Sequence, residues 1–523
     1  MHIEKNVCDN VLYTLLNETG RSKDNLKARK DLKEMGIRKD LWPDENGRYH
    51  PSLFTMSNSM KDIFLRTIKN IRVPDGLSSN ISRCVDLKQR KLSGLKSHDC
   101  HVLMQQLLPI AIRNVLPDKV TAVLIELSSF FQQLCSKSLS LIELEKLQPR
   151  IIITLCHLEM LFPPSFFTIM VHLTCHLVDE AKLGGPVHYR WMYPIERYLG
   201  HLKSYVRNKA KSEGSIAEGY VAEEALTFCS RYLEGIETRF NRPPRVDDRP
   251  DGNYSTHVDS LFPQMDFVRR RSKGRRPSNV EIEKRVNKDF VTWFPMQLMN
   301  PDIMNTVHED LRYLARGPSR YAKRFSTFSI NGFSFRTTNR DNGLKTQNSE
   351  VFLMSSTPCV ASASDANVRN ADLSYYGKLE DIIELNYNGR FRVTLFKCKW
   401  ADTTREWGCR KDSWGFTSVN FSRVIHSGDR EEDDPYIEAS QARMVYFVNN
   451  EVNKDWSVVV HLKPRDSYDI GGNEDDEACE NEPWLEQNLD SLFENCDNLS
   501  LLRDEVDDEL LDDDIGEDEH MSK

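Results

Sequence analysis

The sequence predicts a multidomain, mixed chain: an all-α domain, then a small mostly-β barrel, then a disordered acidic tail. Three observations predict it. Between 91 and 235 the apolar residues recur at helical spacing with prolines at the breaks; between 375 and 465 five short runs have the alternation of strands; after 471 the composition turns acidic. With 523 residues and 39% hydrophobic content, the chain can bury substantial cores and fits three or so units.

Taken in order, residues 1–90 open with the amphipathic helix HIEKNVCDNVLYTLL, which has no N-cap. KARKDLKEMG then ends on Gly36 as a C-cap, and WPDENGRYHP is irregular. Residues 91–235 hold SHDCHVLMQQLLPIAIRNVLP, VTAVLIELSSFFQQLC and LEKLQPRIIITLCHLEMLFPPSFFTIMVHLTCHLVDEA, all helical in pattern. Residues 236–290 form a polar, Pro-rich linker ending in a basic run, Arg269, Arg270, Arg271, Lys273, Arg275 and Arg276. Residues 291–354 hold short helical stretches, then INGFSFRT and NSEVFLM as a small β pair, and 355–372 read as a loop. From 375 to 465 come KLEDIIEL, FRVTLFKCKWA, GFTSVNFS, ARMVYFV and WSVVVHL, with Asn388-Gly389 marking a hairpin. Residues 471–523 are the tail, where Trp484, Leu485, Leu489, Leu492 and Phe493 sit among acids, a mix that docks on a partner as a helix or simply solvates.

Net charge conceals a division. Residues 471–523 carry 21 Asp and Glu against Arg503 and Lys523, so the body has 68 basic and 58 acidic residues and a net charge of +10. A basic body with an acidic tail fits a nucleic-acid partner and an internal competitor for the same surface. Twelve scattered cysteines with no signal peptide point to free thiols in a reducing compartment. The apolar stretch 160–178 is interrupted by Pro163, Pro164, His172 and His176, so no membrane partner is expected. The chain contains no P-loop glycine pattern, G-x-S-x-G or HExxH, which removes support for nucleotide hydrolysis, acyl transfer and metalloprotease chemistry.

The stretch HYRWMYPIERYLGHLKSYVRNKA (188–210) reads as a helix with two stripes. Ile195, Leu199, Leu202 and Val206 form the packing stripe; Glu196, Gly200, Lys203 and Arg207 lie about a quarter turn away. Pro194 suits the first turn, and Glu196 there complements the helix dipole. Glu218 follows Ser215 at capping-box spacing. Cys156-His157 and the cluster His172, Cys175 and His176 match no common structural zinc spacing and read as core or hydrogen-bonded groups.

The phrases MHIEKNVCDN, GLKSHDCHVLMQQLLPIAIR, EMLFPPSFFTIMVHLTCHLVDEA, GGPVHYRWMYPIERYLGHLKSYVRNKA, YYGKLEDIIELNY and ASQARMVYFV resemble the transposases of plant CACTA-type (En/Spm-like) DNA elements, with their two associated domains of unknown function. The resemblance implies a ribonuclease-H-like catalytic region in which three carboxylates hold two divalent metals for strand transfer. It makes Glu196 the vestigial third acid and metal ligand, with Glu218 its alternative, makes 91–190 a helical insertion, and sets Lys203 and Arg207 against DNA phosphates. In relatives MHIEKN follows Asp-Val; here His2 of that catalytic pattern is retained and residues 1–90 read as a remnant of the catalytic region, truncated at its N-terminus. The resemblance therefore implies a transposase-derived protein lacking two of three catalytic acids, with no cofactor expected in this chain alone and Mg²⁺ in the intact family enzyme. Its expected partners are DNA, as transposon ends or non-specifically, and an intact transposase or a second copy; the 269–276 run adds nuclear localisation. The alternative is a nuclear interaction protein whose β domain reads a chromatin or partner peptide, with Trp400, Trp407, Trp414 and Tyr436 as its aromatic candidates.

Overall fold

The computed structural model describes residues 1–78, 80–232, 289–290, 292–298, 300, 307–359, 369–403, 407–425, 435–462, 487–493 and 500–503. An N-terminal helical region is followed by a C-terminal β-sheet region, as the patterns predict. α1 (His2–Leu15) buries Val7, Cys8, Val11, Leu12 and Leu15 at helical spacing. α2 (Leu26–Met35) starts on the Asn25 side chain, which accepts from Ala28 N, and closes on Gly36 at φ 70°. α3 (Asn58–Asn70) is capped by Ser57. α4 (Ser97–Val102) runs through a π-helical turn, Leu103–Leu107, into α5 (Leu108–Ile112). α6 (Asp118–Leu134) and α7 (Leu141–Leu161) are the long core helices. Pro149 lies inside α7 without ending it, contrary to the expected break. The proline is exposed, so the carbonyl it leaves unpaired lies toward the watered side of the helix. α8 (Ile169–His172) and a 3₁₀ turn, Leu173–His176, lead into α9 (Leu177–Gly184). α1 to α9 share one apolar core. Inside it the Arg29 guanidinium is paired bidentately with Asp24 at 2.5 and 2.8 Å and donates to the Leu41 carbonyl, the hydrogen bonds that a buried charge requires.

α10 (Tyr193–Ser204) and α11 (Ser212–Arg231) form a hairpin beyond this core. The expected helix through 210 stops at Ser204. Asn208 instead caps the following 3₁₀ turn, its side chain accepting from Ala210 N at 3.0 Å, and the Tyr205 ring packs where Gly219 has no side chain. Ser215 lies inside α11 rather than at its cap, so the expected capping box with Glu218 does not form.

α12 (Glu309–Arg316) precedes the β region. β1 (Val85–Asp86) and β2 (Lys91–Leu92) are a small pair within the helical region. The main sheet contains β3 (Lys323–Phe325), β6 (Glu350–Cys359), β7 (Arg369–Tyr387), β8 (Phe391–Ala401), β9 (Cys409–Lys411), β10 (Thr417–Val419), β11 (Val424–Ile425), β12 (Tyr436–Glu438), β13 (Arg443–Asn449) and β14 (Ser457–His461). Its order is β11-β8-β7-β6-β13-β14-β10-β9, with β12 also on β8 and β3 on β7. All five expected runs contribute strands, and the Asn388-Gly389 turn has φ of 53° and 80°, as a β7–β8 hairpin requires. Three expectations are corrected. Among the described residues no ladder joins β9 to β11, so the sheet is open rather than a closed barrel. INGFSFRT pairs with the segment before it, as β4 (Thr327–Ile330) and β5 (Phe333–Arg336), while NSEVFLM pairs with β7; continued β6–β7 pairing, out to Cys359 opposite Arg369, makes strand of much of the expected 355–372 loop.

β13 alternates its faces. Tyr446 and Val448, with Val458, Val460 and Phe416, join the helical core, while Val445, Phe447 and Val459 form a cluster on the other face. Arg113 reaches across from the helical region to Asp412 at 2.6 Å, and Tyr446 Oη donates to Gln106 Oε1 at 3.0 Å. The described residues of the tail, expected to be disordered, are packed. α14 (Leu489–Phe493; α13 is Thr338–Asp341) buries Leu489 and Phe493 against α6 and α7, and Leu501 is also buried, its carbonyl accepting from Leu53 N at 2.7 Å. Trp484, Leu485 and the remaining acids lie outside the described residues.

Candidate functional site

Three of the phrases quoted above meet in space. α1 has Glu4 at the N-terminal end of its buried face, where it is 2% exposed. α4 points His101 toward it, and Gln105 follows one turn later inside the π-helical turn, a local widening found at many functional sites. His101 Nδ1 lies 2.9 and 3.1 Å from the two Glu4 oxygens, and Gln105 Nε2 donates to Glu4 Oε1 at 2.8 Å. Cys135, the C-cap of α6, completes the group: the ligand atoms of Glu4, His101 and Cys135 all lie within 4.8 Å of one another. From the third phrase, Trp191 sets its ring edge-on to His101 at 4.9 Å and tilts against His188 at 5.1 Å.

Electrostatics follows from this burial. Desolvation pushes the Cys135 thiol far above its usual range, and the Glu4 charge adds to the effect. Cys8 is raised first by its hydrogen bond with Cys100 and then by burial. Burial lowers His98, partly opposed by its hydrogen bond to the Leu77 carbonyl; burial also lowers His188, with Lys137 and His101 acting in the same direction. A carboxylate on one imidazole nitrogen fixes the tautomer and the ring orientation, so Glu4 holds His101 in place through Nδ1. Glu4, His101 and Cys135 are also the residues here that could hold a metal.

The predicted residues are placed differently. His2 is exposed at the start of α1 and outside the cluster, its carbonyl accepting from Asn6 Nδ2 at 2.8 Å. Glu196 stands exposed in the first turn of α10 and belongs to no group of three ligating side chains among the described residues. Lys203 is exposed in the last turn; Arg207 is exposed but lies past the helix end, so the expected charged stripe is not one helix face. The packing stripe is corrected as well, since Ile195 and Leu199 are 50% and 57% exposed. Glu218 is exposed on α11, and Arg269, Arg270, Arg271, Lys273, Arg275 and Arg276 lie outside the described residues. His157 is buried as expected, with Nδ1 on the Ile153 carbonyl, while His172 and His176 are exposed and hydrogen-bonded to each other, the second of the two expected roles. Sequence reasoning missed Glu4, His101, Gln105 and Cys135, although "SHDCH" and "HIEKN" both stood inside phrases it had singled out.

Two family models match the chain, each described as a domain of unknown function: DUF4218 over residues 134–247 and DUF4216 over residues 383–459. Both domains are typical of plant transposase-like proteins. The first covers α7 to α11 and the second runs from within β7 into β14. No curated protein and no solved structure matches the chain.

Proposed function

We propose that this chain is a transposase-derived protein of the CACTA type that acts in the nucleus by binding DNA, with the α10–α11 hairpin as its interface. The observation that carries the reading is the exposed run of bases on that hairpin, Arg197, Lys203, Arg207, Lys209 and Lys211, within the first matched domain and on a body of net charge +10. Phosphate contacts supply most non-specific affinity, and exposed flexible bases make them without base readout. Glu196 lies beside these bases as the counterpart of a third catalytic acid. Standing outside any carboxylate cluster, it gives the described residues no two-metal site, so the proposed role is binding rather than strand transfer. Fluorescence anisotropy on a duplex across a salt series tests the interface. Lys203→Ala with Arg207→Ala should weaken binding and flatten the log–log salt slope by about 1.8, at about 0.9 for each phosphate that is no longer neutralised. Unchanged affinity and slope would reject the hairpin as the interface.

A second reading has one observation in its favour. Trp400 is core, but Trp407 in the turn before β9 and Tyr436 on β12 are 48% and 41% exposed, surfaces suited to an extended peptide.

A further inference from the structure

α7 and the α8–α9 segment face each other across a groove of about 650 Å³, lined on one side by residues between Gln148 and Glu159 and on the other by residues between Phe167 and His176. His172, Cys175 and His176 stand at i, i+3 and i+4 on this wall, which places them on one face of a helical turn. Their ligand atoms lie within 4.8 Å of one another, and the two histidine Nε2 atoms are 3.4 Å apart. Tetrahedral zinc with Zn–N bonds of about 2.0–2.1 Å sets its nitrogens about 3.3–3.4 Å apart, so the pair is already at the spacing of a shared cation. A second observation is independent of these ligands. Gln148 Nε2 donates to the Cys175 carbonyl at 2.8 Å and fixes the turn, while Gln148 Oε1 is buried with no hydrogen-bond partner among the described residues. A buried acceptor on a groove wall calls for a donor that the groove must supply.

We propose that His172, Cys175 and His176 bind a divalent transition metal of the zinc class, with the fourth position open to the groove. One thiolate and two imidazoles are the borderline-soft set that selects such ions over Mg²⁺ or Ca²⁺. Three ligands and an open position leave room for a metal-bound water, and Gln148 Oε1 accepts a hydrogen bond from it. Cys156 and Glu159 are the other side chains of ligand type that line the groove. The cluster Glu4–His101–Cys135 differs, because the Glu4 carboxylate is already held by two short hydrogen bonds, from His101 at 2.9 Å and Gln105 at 2.8 Å, whereas His172 and His176 share a single contact at 3.4 Å. The site stands apart from the DNA reading and does not depend on it.

The test titrates the full chain, stripped of metal, with Co²⁺ and then Zn²⁺. Tetrahedral cobalt bands with a thiolate charge-transfer band should appear and be displaced by Zn²⁺. His172→Ala and His176→Ala should each lose at least about 100-fold in affinity, the upper range for losing even a supporting residue. Cys175→Ser, nearly isosteric and so independent of any folding defect, should abolish the charge-transfer band while Cys135→Ser leaves it unchanged. No cobalt spectrum, or a band that survives Cys175→Ser and vanishes in Cys135→Ser, overturns the proposal.

Discussion

Glu350 shows what one buried carboxyl does to the sheet. At the start of β6 its Oε1 accepts from Gln347 Nε2 at 2.5 Å, while Oε2 is buried with no hydrogen-bond partner among the described residues. Burial pushes the carboxyl up to about 7, outweighing the opposite pull of Lys378 and Gln347. A folded value above the ordinary 4.5 means the native state favours the protonated form. The stability so gained is fully present below about 4.5 and is lost as pH rises through about 7, a swing of about 3 kcal/mol. Thermal unfolding of Glu350→Gln should therefore fall less between pH 5 and pH 8 than that of the unaltered chain; equal falls would contradict the assignment. Such residues are hard to read from sequence. Glu4 and Glu350 look like solvated acids, because their partners or their burial depend on distant segments, His101 standing 97 residues from Glu4. Gly36 and Asn388-Gly389 were legible because a cap or turn is decided by the residue's own backbone freedom.

At the scale of elements, type was legible and extent was not. The five strand runs and the main helices follow from their periods, which local side-chain patterning sets. The end of α10 depends on Asn208 and on the fit of Tyr205 against Gly219, a tertiary contact that no period encodes. α14 is the clearest case. Its apolar residues read as either a docking helix or a solvated tail, and they dock on the same chain: Phe493 tilts against His157 at 4.7 Å and Gln487 N donates to Glu126 Oε1 at 2.7 Å. Phe493 is 4% exposed, so Phe493→Ala should destabilise the helical region by about 3–5 kcal/mol in denaturant unfolding. A change below about 0.5 kcal/mol, the scatter of surface substitutions, would show that α14 is not part of that core.

Over the whole molecule, the helical region and α14 share one core, to which β13 and β14 contribute one of their two faces, while the rest of the sheet packs around clusters of its own. This architecture buries the sheet face carrying Tyr446 and leaves the α10–α11 hairpin outside, with Ile195 and Leu199 exposed beside its bases. A basic, partly apolar projection on a packed body is a surface suited to a long polyanion. Sequence alone located Lys203 and Arg207 but assigned their apolar neighbours to packing, since an apolar stripe carries no record of whether its partner is present. The most direct measurement is hydrogen exchange of the full chain with and without a saturating duplex at low salt. Exchange at residues 193–231 should slow, with the effect fading as salt rises and absent in the Lys203→Ala, Arg207→Ala chain, and with the sheet unchanged. Protection confined to the strands around Trp407 and Tyr436, with α10 and α11 unaffected, would contradict it.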